Sequence, residues 1–154
     1  MRDLSFGRAC AIAMTDATNT AGTCACGGVT VALARMPKLV NFCDCSACRR
    51  LGAAWVYLDR ADVTVTGETR AFTRTDMASP ELAFRFCPTC GATVLWEALA
   101  RGGEGWVGIN SRLFEEAQFA GIETRFPAWR WWDGHGDPPP PRRAPGRMGD
   151  EVLP

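Results

Sequence analysis

The sequence of 154 residues has one histidine, no excess of either charge, and no long apolar run. Seventeen Lys and Arg balance seventeen Asp and Glu, so no net field draws the chain to nucleic acid or to an anionic membrane. Nucleic acid is therefore not an expected partner. The single histidine, His135, sits beside a run of four prolines, where an extended backbone cannot hold the geometry of a zinc ligand or a general base. No stretch approaches the roughly 20 apolar residues of a membrane span, and residues 9–14 are short for a signal-peptide core of about 7–15. The expectation is a cytoplasmic protein without a membrane partner.

Cysteine, by contrast, is abundant: eight residues, seven of them in tight groups. Cys43, Cys45 and Cys48 fall within one six-residue stretch. Sulfurs so close along the chain are poorly placed to pair, because a disulfide needs Cα atoms about 4.4–6.8 Å apart with matched Cβ directions. Zinc binds thiolates at about 2.3 Å in a tetrahedron, and three protein ligands leave the fourth position for water or substrate, the arrangement of a catalytic centre. Cys24, Cys26, Cys87 and Cys90 together supply the four sulfurs of a closed structural site. The spacing thus predicts two Zn²⁺ per chain, with Cys10 left over. The alternatives are a reduced protein with unused buried thiols and a disulfide framework; a reducing compartment favours metal over disulfides.

Residues 1–20 show no periodicity and are expected as a disordered tail, with Met14 a candidate start that would leave Cys10 without a role. Val29, Val31 and Leu33 alternate on one strand face, and the same two-residue period lets Cys24 and Cys26 face one metal. A short helical turn is expected to be capped by Ser46 and stopped by Gly52. Its N–H groups, with Arg49 and Arg50, would favour thiolates at Cys45 and Cys48, although the arginines also read as a solvated surface pair. From Trp55 onward the pattern is β, with strands expected over 55–58, 63–66, 70–73, 82–86, 93–96 and 106–109. Alternation would bury Leu82, Phe84 and Phe86, and Gly91 would take the positive φ of the turn after Cys87. A helical piece over 111–117 and a last strand over 119–125 follow. Trp129, Trp131 and Trp132 then cover the core or wall a pocket. Residues 134–154 read as a solvated, proline-rich tail without a core, leaving one zinc-binding domain over residues 21–133.

The motifs Gly22-x-Cys24-x-Cys26-Gly27, Cys43-x-Cys45-Ser46-x-Cys48-Arg49, Gly67-Glu68, Phe86-Cys87-Pro88-x-Cys90-Gly91 and Asn110 before Leu113-Phe114 resemble the family of glutathione-dependent formaldehyde-activating enzymes and centromere protein V. The resemblance runs from about Gly22 to Asp133. It implies a β-tent of packed antiparallel sheets pinned by zinc, with few short helical turns. It further implies a structural zinc on Cys24, Cys26, Cys87 and Cys90 and a catalytic-type zinc on Cys43, Cys45 and Cys48. The implied activity is that of a carbon–sulfur lyase joining glutathione to formaldehyde, so the expected partners are a small thiol and an aldehyde. Arg49 and Arg50 are the candidate contacts for the thiol's carboxylates. The chain departs from the family at Asp44, where members often carry His. Two other classes compete: a non-catalytic zinc module that docks an acidic partner through Arg49, Arg50 and Arg142-Arg143, and a redox protein with one oxidisable, metal-free thiol.

Overall fold

The β-branched and aromatic runs of the middle of the chain set the architecture. In the computed structural model, which describes residues 20–102, 104–130 and 137–149, they form two sheets. The smaller has the order β1-β2-β5, from β1 (Thr20–Thr23), β2 (Thr30–Leu33) and β5 (Val63–Thr66). The larger joins β3 (Leu39–Asn41), β4 (Trp55–Asp59), β6 (Arg70–Thr73), β7 (Leu82–Phe86), β8 (Thr93–Ala98), β9 (Trp106–Asn110), β10 (Glu123–Arg125) and β11 (Gly146–Arg147). Its order is β11-β10-β3-β4-β9-β8-β7-β6. Among the described residues α1 (Ser46–Leu51) is the one α-helix. The mainly β expectation holds. The expectation of wholly antiparallel sheets gives way at one place, where β10 pairs with β3 in parallel. No helix of the described residues is long and apolar enough to cross a membrane.

Alternation along the strands sorts the larger sheet into two unlike faces. Val40, Val56, Ile109 and Leu95 stand in register across β3, β4, β9 and β8. They share one apolar core with Val31, Leu33 and Val63 of the smaller sheet. Each such side chain stabilises the fold by about 1.5–3 kcal/mol relative to an exposed one. On the other face the register brings Asn41 beside Trp55, Tyr57 beside Gly108, Gly108 beside Trp96, and Trp96 beside Phe84. This aromatic row has its own, smaller core of Cys48, Ala53, Trp55 and Phe84.

Several sequence expectations are corrected. In β7 it is Ala83 and Phe84 that are buried, with Leu82 and Phe86 half-buried, because both faces are covered at that point and a bulge between Arg85 and Phe86 shifts the register. Residues 111–117 do not make one helical piece but part of two 3₁₀ turns, Ser111–Leu113 and Glu116–Phe119. The last strand does not begin at Phe119, whose ring is fully buried and lies 5.2 Å from that of Phe114. The side chain of Gln118 holds that turn by accepting from the N–H of Glu115 at 2.9 Å.

The solvated tail beyond Asp133 is corrected in part: Pro138, Pro139, Pro140 and Pro141 are exposed and irregular, as expected, whereas residues 142–148 return to the larger sheet. The prolines themselves have no N–H to offer a ladder. The residues after them do. Arg142 N–H donates to Phe126 O at 2.8 Å, Gly146 N–H to Thr124 Oγ1 at 3.1 Å, and Met148 N–H to Ile122 O at 2.8 Å. Met148 then joins the main core at 8 % exposure. One apolar side chain and these paired backbone groups anchor the residues that follow the proline run, while the run itself stays exposed. At the other end, β1 takes in Thr20, the last residue of the expected N-terminal tail.

Candidate active site

Two groups of sulfurs lie where the spacing placed them. Cys24 and Cys26 sit in the β1–β2 turn, and Cys87 and Cys90 in the β7–β8 turn. The Cys24 and Cys26 sulfurs are 3.5 Å apart and those of Cys26 and Cys87 3.6 Å, with all four sulfurs within 4.8 Å of one another. A tetrahedral centre with ligands at about 2.3 Å sets its sulfurs about 3.8 Å apart, so this set fits a metal ion. Val29 N–H donates to Cys24 Sγ at 3.2 Å. Gly91 takes φ 75° and gives its N–H to Cys87 O at 2.9 Å, as its turn requires. The N–H groups of Ala92 and Cys26 draw the Cys90 thiol down to about 6.

The second group joins the end of β3 to α1. Cys45, not Ser46, is the N-cap: its backbone is extended at φ −60°, ψ 161°, and its Sγ accepts from Cys48 N–H at 3.5 Å. The expected hydroxyl cap gives way because the sulfur one position earlier already stands over the first turn. Gly52 closes the helix at φ 59°, as expected, with its N–H on Cys48 O. Cys45 and Cys48 sulfurs are 3.4 Å apart, and Cys43 Sγ accepts from Cys45 N–H at 3.5 Å. Trp55 Nε1 donates to Cys48 Sγ at 3.1 Å. The thiols of Cys43 and Cys48, then the N–H groups of Cys48 and Ala47, pull the Cys45 thiol down against its burial; the neighbouring thiols Cys45 and Cys48 push Cys43 up. This set also fits a metal, and among the described residues no fourth His, Cys or carboxylate joins it.

Cys43 and Cys48 border two cavities of opposite character. One, of about 300 Å³, is walled by Trp55, Tyr57, Phe84, Trp96 and Trp129, with Met77 and Leu82 at its margin. Arg74 and Glu81 are its charged neighbours, and Arg74 is held by both oxygens of Asp76, at 2.9 and 2.8 Å. Burial pushes the Tyr57 phenol up to about 12, against the lowering effect of Asn41, whose Nδ2 donates to its oxygen at 2.6 Å. The other cavity, of about 360 Å³, is lined by Arg49, Arg112, Arg130 and Arg142. Its single carboxylate, Asp44, accepts from Trp129 N–H at 2.7 Å and pairs with Arg142 at 3.4 Å.

Of the two arginines singled out in the sequence, Arg49 lines the cationic cavity. Arg50 lies on the exposed side of α1, where its Nη1 donates to Ser46 O at 3.5 Å, and it is not among the residues lining that cavity. Trp129 is a pocket wall, whereas Trp131 and Trp132, with Cys10, Met14 and His135, fall outside the described residues. Sequence reasoning missed Tyr57, Trp96, Arg74 and Arg112 as site residues. The two-residue period that puts Trp55 and Tyr57 on one face was a usable signal for the first of these; nothing local marks the others.

The family model for glutathione-dependent formaldehyde-activating enzymes matches residues 19–128. Among solved structures, the crystal structure of a Rhodobacter sphaeroides protein is similar, with 27 % identity and a TM-score of 0.50 over 62 % of this chain and 87 % of that one. No curated protein matches the chain.

Proposed function

Because the chain belongs to the family of glutathione-dependent formaldehyde-activating enzymes, we propose that it is a carbon–sulfur lyase that adds a small thiol to a carbonyl compound, or runs the reverse cleavage. The observation that carries this reading is the three-sulfur group at the junction of an apolar and a cationic cavity, with no fourth side chain among the described residues. Zn²⁺ held by Cys43, Cys45 and Cys48 would supply an open coordination position and keep a thiol ionised near neutral pH. A second Zn²⁺ on Cys24, Cys26, Cys87 and Cys90 would be structural. These two ions are the proposed cofactors, and the cytoplasm is the proposed location.

The protein's own groups orient the reactants. Arg49, with Arg112 and Arg130, draws the carboxylates of a glutathione-like thiol into the cationic cavity, while the carbonyl compound enters from the aromatic side. The sulfur lone pair attacks the carbonyl carbon, the C–S bond forms, and the π pair moves to oxygen. Oxygen then takes up one proton, balancing the proton that the thiol gave up. The product is the hydroxyalkyl thioether, and neither oxidant nor reductant is consumed.

Zinc X-ray absorption of the full-length, metal-loaded protein tests the proposal. The expected result is a rise in mean sulfur coordination on adding glutathione, abolished in Cys48→Ser. An unchanged spectrum across a panel of thiols, together with no thiol consumption in the presence of aldehyde, would reject it.

A further inference from the structure

The cationic cavity carries more positive charge than its own side chains balance. Arg49, Arg112, Arg130 and Arg142 line it, and Asp44 is its single carboxylate. Both oxygens of Asp44 are engaged, one by Trp129 N–H at 2.7 Å and the other by Arg142 at 3.4 Å, and its side chain is 13 % exposed. Arg142 is in turn held by the carbonyls of Pro127 and Phe42, to which its Nε and Nη2 donate. Arg49 and Arg112 have no such counter-ion: neither side chain makes a hydrogen bond or an ion pair among the described residues.

Two unpaired guanidiniums in a cavity that Cys43 and Cys48 also line match two anionic groups on a ligand whose thiol reaches those sulfurs. They also disfavour a cation. In an α-amino acid the ammonium and the carboxylate share one carbon, so seating that carboxylate on an arginine holds the ammonium close to like charge, well inside the roughly 8 Å over which salt screens it. An acidic partner for the ammonium would offset this repulsion. The one carboxylate lining the cavity already serves Arg142 and Trp129.

Resting on the proposed thiol addition, we infer that the thiol taken by the cationic cavity is a dicarboxylate without a free ammonium, held by Arg49 and Arg112. Asp44 keeps Arg142 and Trp129 in place and does not receive the ligand. Glutathione, whose glutamyl end carries an ammonium, is then the poorer form of the substrate, and an N-acylated form is the better one.

The test is titration calorimetry of the full-length, metal-loaded protein with three probes that share one thiol. These are glutathione, N-acetylglutathione, which masks the ammonium, and glutathione ethyl ester, which masks the glycyl carboxylate. N-acetylglutathione should bind about two- to fivefold more tightly than glutathione and the ester about two- to fivefold less tightly, the range of exposed ion pairs. Both differences should shrink in high salt. Arg112→Gln should weaken N-acetylglutathione and leave 2-mercaptoethanol, which has no carboxylate, unchanged; Arg49→Gln serves if Arg112→Gln does not fold. Asp44→Asn keeps an acceptor for Trp129 N–H and should preserve the order of the three probes. Failure of all three to bind overturns the inference, as does binding of glutathione at least as tight as that of N-acetylglutathione. Selective loss of glutathione in Asp44→Asn also overturns it, by making Asp44 the ammonium's partner. The expected order of binding, without thiol consumption above the uncatalysed rate in the presence of formaldehyde, would uphold the inference and reject the lyase reading instead. Catalysed consumption of glutathione and N-acetylglutathione with equal affinity would uphold the lyase reading and overturn this one.

Discussion

The indole N–H of Trp55 donates to the sulfur of Cys48 at 3.1 Å, tying the first residue of β4 to the buried cysteine of α1. A donor on a ligating sulfur orients it and eases its negative charge, and loss of such outer contacts costs about ten- to a hundredfold in metal affinity. Trp55→Phe keeps the ring in the aromatic core but removes the N–H. It should weaken one of the two metal sites by that factor and leave the other unchanged, as read by competition with a chromophoric chelator. Two unchanged affinities would show that this hydrogen bond does not support a metal.

The two sulfur groups should differ in what their loss does to folding. Cys26 and Cys87 are 61 positions apart, so a metal on their group closes a long loop and its binding energy is folding energy. Cys87→Ser should leave the domain unfolded or aggregated. Cys45→Ser should stay folded and lose one metal, because its group is local in sequence and opens onto two cavities. Circular dichroism with metal analysis checks both, and native melting by Cys87→Ser would contradict the structural assignment.

The returning C-terminal segment gives a prediction opposite to the one its composition suggests. Met148 is 8 % exposed in the main core, so Met148→Ala should destabilise by roughly 2–5 kcal/mol in urea unfolding. Truncation after Asp137 should also destabilise, because it removes the strand pairing β10 and exposes the buried ring of Phe126. Wild-type stability after either change would mean that this segment does not pack in solution.

Gly108 holds the aromatic cavity open. A Cβ built there would come 2.0 Å from Trp96 Nε1, which lies across the β8–β9 pair, so Gly108→Ala must displace the indole. We expect a loss of about 1–3 kcal/mol from overpacking and weaker binding of ring compounds, with both metals retained. An unaltered melting curve together with unaltered acetophenone binding would remove Trp96 from the cavity wall.

What was legible in the sequence was local. Seven of the strands, β2 and β4 to β9, are runs rich in β-branched or aromatic residues, and their centres stand where the pattern placed them. The cysteine groups declared themselves because close spacing of thiols has few uses other than a metal. β3, with three residues, and β11, with two, were too short to leave a period, and β1 is too small and polar to show one. The cap failed because side-chain propensity points to Ser46, whereas the position over the first turn already belongs to Cys45.

The sequence by itself determined the division of seven cysteines into four and three, the β class, and the Gly52 and Gly91 turns. These depend on spacing and on backbone preferences within a few residues. Only the tertiary structure decided what surrounds the three sulfurs. Strand register set Trp55, Tyr57, Trp96 and Phe84 on one face, and the cationic cavity drew Arg49, Arg112, Arg130 and Arg142 from distant parts of the chain. It also decided the fate of the proline-rich end, because a single apolar side chain such as Met148 has no periodicity to read until a core exists to receive it.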